Sequence, residues 1–223
     1  VTLASDKKAI LIKVVSKAEG DDSTSPVNGG GKVVVIDAGH GGTDPGASGV
    51  FEGKAYKEKD INLSVALKVR DILEENNVRV LMTREGDTYP TLTERADFAN
   101  INNAVIFTSI HSNSATTDTA SGYEVYYSLL NNNETTGLSS KELAGQIISK
   151  LKDNINTRNR GVKTADHVVT RSSIMPAVLV EIGFMSNHEE MGLMLTDEFQ
   201  NQFAKGIADG ILAVIEKANP PRE

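Results

Sequence analysis

Four histidines, His40, His111, His167 and His188, are the only imidazoles in a chain of 223 residues that contains no cysteine. A metal site in such a chain has to be built from imidazole and carboxylate, because thiolate ligands and thiol nucleophiles are both missing. Two of the histidines stand just past the ends of apolar runs, where chemistry gathers in α/β proteins. His40 lies in Asp37-Ala-Gly-His40-Gly-Gly42, after a β-branched run, and His111 closes Val105-Ile-Phe-Thr-Ser-Ile-His111. Glu181 ends a third run, Val178-Leu-Val-Glu181, and a carboxylate there is costly to bury without a cation or a proton. Taken together, the three strand ends point to one reactive rim.

The simplest zinc site without cysteine has two imidazoles and one carboxylate, with a fourth position left for water. His40 and His111 supply the imidazoles; spacing alone leaves Glu52, Glu58, Asp37, Asp44 and Asp60 as candidates for the carboxylate. His167 and His188 are weaker candidates. The first opens a short β-branched run read as a strand, and the second lies in Ser186-Asn-His-Glu-Glu190, the pattern of a helix start with a solvated His.

The elements that must position these groups follow from periodicity. Lys32–Asp37, Val78–Thr83, Val105–His111, Gly122–Ser128, His167–Thr170 and Ala177–Ile182 read as strands. Between them, helical spacing marks Asp60–Asn76, Thr91–Asn102, Ser139–Ile155 and Asp197–Lys217, the second opened by a capping box at Thr91 and Glu94. This alternation predicts an α/β fold, a single domain with a mainly parallel open sheet of about six strands and helices on both faces. Residues 1–31 read as an N-terminal tail and flexible linker, Gly-, Ser- and Asp-rich from Ser16 to Gly31, and residues 32–223 as the catalytic domain. Upstream, the apolar run Ala9–Val15 reads as an added edge strand or the remnant of a targeting region.

Composition narrows the function. Hydrophobic residues make up 39% of the chain, enough for a real core. Lys and Arg total 23 against 30 Asp and Glu, and the net charge of −7 argues against binding nucleic acid through a positive field. No run reaches the roughly 18 to 20 apolar residues of a membrane helix. The chain starts at Val1 rather than Met, which leaves room for a removed signal or anchor.

The ordered blocks Asp37–Ala47, Glu58–Leu63, Thr83-Arg84, Leu92–Arg95, Ser109-Ile-His-Ser-Asn113, Asn159–Lys163 and Pro176–Asn187 resemble the zinc-dependent N-acetylmuramoyl-L-alanine amidases. The resemblance spans Lys32 to about Lys217. It implies that His40, Glu58 and His111 hold Zn2+ and that Glu181 is the catalytic residue. It further implies hydrolysis of the amide between N-acetylmuramic acid and L-alanine, with the peptidoglycan stem peptide and glycan strand as partners. Ala38 stands where the family often has Pro, and Ile182 where it often has Thr; the latter bears on how Glu181 is held.

Asn113 and Arg160 are the candidates for holding substrate, whereas Arg84 and Arg95 are expected to make structural ion pairs or loop hydrogen bonds. A monomer acting outside the cytoplasm is expected, with an accessory envelope protein as a further partner and no nucleic acid. A zinc carboxypeptidase is the nearest rival, but it calls for H-x-x-E at the first block, and the residue three after His40 is Thr43. A wall-binding or regulatory module that has lost catalysis is the other rival. The short chain, without repeats, resembles the sporulation amidases that prepare muramic δ-lactam in spore cortex; a vegetative autolysin and a phage lysin are the alternatives.

Overall fold

Successive residues of a strand face opposite sides, and the first strand uses both sides for burial. In β1 (Val33–Ala38), Val34, Ile36 and Ala38 enter one apolar cluster while Val35 enters another, all four sealed from solvent. A computed structural model describes residues 32–131 and 138–217. After β1 come β2 (Ser48–Phe51), β3 (Lys54–Lys57), α1 (Glu58–Glu75), β4 (Arg79–Met82), α2 (Leu92–Ile101), β5 (Ile106–Asn113) and β6 (Tyr123–Tyr127). The remainder runs α3 (Ser140–Asn154), β7 (Asn159–Thr164), α4 (Val168–Arg171), β8 (Ala177–Phe184), α5 (His188–Met194) and α6 (Asp197–Lys217). The expected tail, linker and apolar run within residues 1–31, and the last residues 218–223, lie outside the described residues.

The main sheet has six strands in the order β4-β1-β5-β8-β6-β7. β4, β1, β5 and β8 are parallel; β6 runs antiparallel to β8, and β7 runs parallel to β6. One face packs Val34, Ile36, Ile106, Ile110, Val178 and Val180 against α1, α3 and α6. The other sets Val35, Phe107, Ala177 and Leu179 against Ala99 of α2 and Val169 of α4. The single α/β domain with helices on both faces is therefore as the alternation predicts. The capping box is present too: the Thr91 hydroxyl accepts from the Glu94 backbone N–H, and Glu94 Oε2 accepts from that of Thr91.

One local reading is corrected. Residues 168–171 are a helical turn rather than a strand, with Arg171 N–H bonded to His167 carbonyl and Ser172 N–H to Val168 carbonyl. Their β-branched side chains pack on the face of the sheet, through buried Val169. The strand of that region is the polar β7, which sits at the sheet edge and needs little apolar side chain. Between β1 and α1 the Gly-rich segment holds the hairpin β2–β3, turned by Glu52 and Gly53, whose φ values of 48° and 75° suit a two-residue hairpin loop. Among the described residues, no helix is long and apolar enough to cross a membrane.

Candidate active site

The loop after β1 is held by two guanidinium groups. Arg95 of α2 donates to Asp37 Oδ1 at 2.7 Å, to the Ala38 carbonyl at 2.7 Å and to the His40 carbonyl at 2.8 Å. Arg84 donates to the carbonyls of Ala38, Gly39 and Lys59. Asp37 is fully buried and also accepts from Thr83 and Ser109, each at 2.6 Å. Burial raises its pKa, but Arg95 and these hydroxyls more than offset that and hold it below the usual carboxylate range. Arg84 and Arg95 thus take the structural roles expected of them.

Held this way, His40 adopts a left-handed backbone with φ 62°, a conformation that persists only where its surroundings enforce it. Its Nδ1 lies 2.8 Å from Asp44 Oδ2 and its Nε2 lies 3.2 Å from Glu58 Oε1, so the ring is bracketed by two carboxylates. Burial lowers the His40 pKa, and the hydrogen bonds and charges of Glu58 and Asp44 overcome this to raise it.

Glu58 is the first residue of α1, where the helix N-terminus favours a carboxylate. His111, in β5, brings Nδ1 to 2.9 Å from the same Oε1. Asn62 and the Ser112 backbone N–H also donate to Oε1, and the Ala47 backbone N–H to Oε2. Burial pushes Glu58 up, but His111 and His40 bring it well below the ordinary carboxylate range. The ligand atoms of His40, Glu58 and His111 lie within 4.8 Å of one another. Two imidazoles and a carboxylate, with Asp44 bracing one ring from behind, form a group that could hold a metal ion.

The other carboxylate candidates do not join this cluster. Asp37 is paired with Arg95, Asp44 stands behind His40, and Glu52 and Asp60 are exposed. His188, exposed at the start of α5, stacks against Phe51 with ring centroids 5.0 Å apart. His167 precedes α4 and meets Tyr126 edge-on at 5.3 Å, its Nδ1 buried without a hydrogen-bond partner.

Glu181 occupies the row next to the metal-site candidates. In the sheet register it is paired with His111 on one side and with Glu124 of β6 on the other. Its Oε2 is sealed from solvent and has no hydrogen-bond partner. Burial, with the charges of Glu58 and Glu124, pushes its pKa well above the ordinary carboxylate range. A carboxyl group whose neutral form is favoured in this way is suited to holding a proton and passing it on.

The candidate substrate residues Asn113 and Arg160 meet at one group that was not singled out in the sequence. Glu124 accepts from Asn113 Nδ2 at 3.1 Å, Tyr126 OH at 2.7 Å, Arg160 Nε at 2.6 Å and Lys163 Nζ. Its signal was the same as that of Glu181, a carboxylate inside an apolar strand, Gly122-Tyr-Glu-Val-Tyr-Tyr127. Glu190 is the second unanticipated carboxylate. It accepts from the backbone N–H groups of Gly122 and Phe184 and so ties the start of β6 to the end of β8.

Comparison with known proteins bears on the same rim. The Amidase_3 family, N-acetylmuramoyl-L-alanine amidase, matches residues 34–213, which include His40, Glu58, His111 and Glu181. The chain is 34% identical over 208 residues to the germination-specific N-acetylmuramoyl-L-alanine amidase of Bacillus subtilis (strain 168), covering 86% of this chain and 83% of that protein. It is similar to the solved catalytic domain of CwlV, an N-acetylmuramoyl-L-alanine amidase from Bacillus (Paenibacillus) polymyxa var. colistinus. The TM-score is 0.75 at 38% identity, over 83% of this chain and 98% of that one. It is also similar to the CwlD amidase of Clostridioides difficile, solved in complex with the GerS lipoprotein, with a TM-score of 0.74 at 33% identity over 83% and 99% of the two chains. A family match across nearly all of the described fold, with relatives in which it covers most of both chains, makes the chain a member of the N-acetylmuramoyl-L-alanine amidase family.

Proposed function

We propose that this amidase is zinc-dependent, that His40, Glu58 and His111 hold the metal, and that Glu181 moves the proton in cleavage of the bond between N-acetylmuramic acid and L-alanine. The single observation carrying this reading is the orphaned Glu181 Oε2, sealed from solvent one strand away from a cluster of two imidazoles and a carboxylate. Zinc held there would supply Lewis acidity and bring the pKa of a bound water from about 15.7 down toward 7. Glu181 then takes the proton of the attacking water and returns it to the departing amine of L-alanine. Asp44 fixes the His40 tautomer, and Arg84 and Arg95 hold the loop that carries it. Asn113 and Arg160, gathered on Glu124, border the place where substrate would lie.

The family relation favours action on the cell wall, outside the cytoplasm. A role in the spore cortex is supported by the germination-specific relative, and an accessory envelope protein by the lipoprotein complex of the CwlD neighbour. Digestion of purified muropeptides with and without added zinc tests the activity. A new L-alanine amino terminus, lost on chelation and restored by zinc, is the expected result. Trimming of the other end of the stem would favour a carboxypeptidase, and binding without cleavage a silent wall module.

A further inference from the structure

We propose that Arg160 and Lys163 form an anion subsite beside Glu181 that takes a carboxylate of the stem peptide being cleaved; this deepens the amidase reading and rests on it. The site is built on Glu124, whose side chain is only 2% exposed and lies directly across the register from Glu181. One buried carboxylate needs one cation to balance it. Glu124 holds two, Arg160 and Lys163, whose side chains are 25% and 34% exposed. Within the trio of Glu124, Arg160 and Lys163 the two cations outnumber the one carboxylate, with Glu190 and Glu181 as further carboxylates close by.

Both cations have donors to spare. Arg160 commits Nε to Glu124 and Nη1 to the Ser121 carbonyl at 3.3 Å, and its guanidinium lies 5.0 Å over the Phe184 ring, which fixes its plane. No hydrogen bond from its Nη2 occurs among the described residues. Lys163 Nζ bonds to Glu124 and lies 5.8 Å from the Tyr126 ring centroid, and an ammonium group has three donors, so N–H groups remain beyond the Glu124 bond. Glu190, the other carboxylate that acts on Arg160, has both oxygens committed to backbone N–H groups.

The reaction's own chemistry selects the ligand. The lactyl carboxyl of N-acetylmuramic acid is consumed in the scissile amide, so the anionic groups of this substrate are the carboxylates of the peptide. A rigid guanidinium with free N–H groups is matched to such a group.

The test is equilibrium binding, by calorimetry on the zinc-loaded protein, of a synthetic stem peptide with free carboxylates and of its fully amidated counterpart. Wild type should bind the free acid about tenfold more tightly or better, as befits hydrogen bonds to charged groups. In Arg160→Gln that preference should fall to near parity, and Arg160→Lys should restore part of it. Lys163→Gln, which keeps the Arg160–Glu124 pair and thus the fold, should reduce the preference severalfold. Lys205→Gln, a surface charge on α6 far along the chain, should keep the wild-type ratio. Equal affinity of wild type for both peptides, or an unchanged ratio in both Arg160→Gln and Lys163→Gln, overturns the subsite. A glycerol-phosphate oligomer that binds while the acidic peptide does not would likewise overturn it, by assigning the cations to wall phosphate. Because binding is read without turnover, loss of muropeptide cleavage in wild type would count against the amidase reading alone.

Discussion

Gly39 offers the sharpest test of how closely the loop after β1 is fitted to the metal-site candidates. A Cβ on Gly39 would lie 2.2 Å from Nε2 of His111 and 2.3 Å from its Cε1. Ordinary contact begins at 3.4 Å, so the ring or the loop must yield by about 1.2 Å. Neither is free to do so. Gly39 N–H is bonded to the Ile110 carbonyl at 3.0 Å, its carbonyl accepts from Arg84 and Asn62, and His111 is held against Glu58. Backbone strain plays no part, because Gly39 is not among the positive-φ glycines. Zinc ligands tolerate displacements of only about 0.2 Å. Gly39→Ala should therefore fold, at an overpacking cost of about 1–3 kcal/mol, and lose zinc affinity by at least about 10- to 100-fold. Competition with a chromophoric chelator measures the affinity and thermal unfolding of the metal-free protein measures the fold. Gly145→Ala, in α3 with open space around it, is the control and should leave both readouts near wild type. Zinc affinity in Gly39→Ala within about twofold of wild type would refute the reasoning.

Two further outcomes follow from the bracing groups. Asp44→Ala removes the acceptor of His40 Nδ1 and should weaken zinc binding about 10- to 100-fold by the same chelator competition, with little change in metal-free stability. Asp37→Asn leaves Arg95 buried without its counter-charge and should cost about 3–5 kcal/mol at pH 7 in denaturant unfolding of the metal-free protein. The folded-state pKa of Asp37 is depressed, so its contribution is complete above the unfolded value of about 3.9 and is lost as pH falls below that through the lower folded value. The gap between wild type and Asp37→Asn should accordingly narrow below about pH 4; a constant gap down to acid unfolding would contradict the assignment.

Much of this was legible before the fold was seen, and the exceptions share a cause. Strands buried on both faces announce themselves as unbroken apolar runs, so β1, β5 and β8, and with them His40, His111 and Glu181, were found. β7 is polar because an edge strand buries little, and the run at 168–171 is apolar because a helical turn on the sheet face also buries Val169. Local pattern reports burial, and here burial did not separate strand from helix. The carboxylate partner of the two histidines was beyond spacing alone, since five residues were open and only the fold around α1 brings Glu58 to both rings. The family motif pointed to it. Glu124 was legible in principle, as a charge inside an apolar strand, yet its meaning needed the register that sets it opposite Glu181.

The central claim is that Glu181 acts on the proton while the histidines and Glu58 hold zinc. Its most direct test is one preparation of Glu181→Gln assayed twice, for zinc content and for release of stem peptide from muropeptides. The account predicts about one zinc per chain, as in wild type, with cleavage reduced by roughly 100-fold or more. Cleavage near the wild-type rate at full zinc occupancy would contradict it.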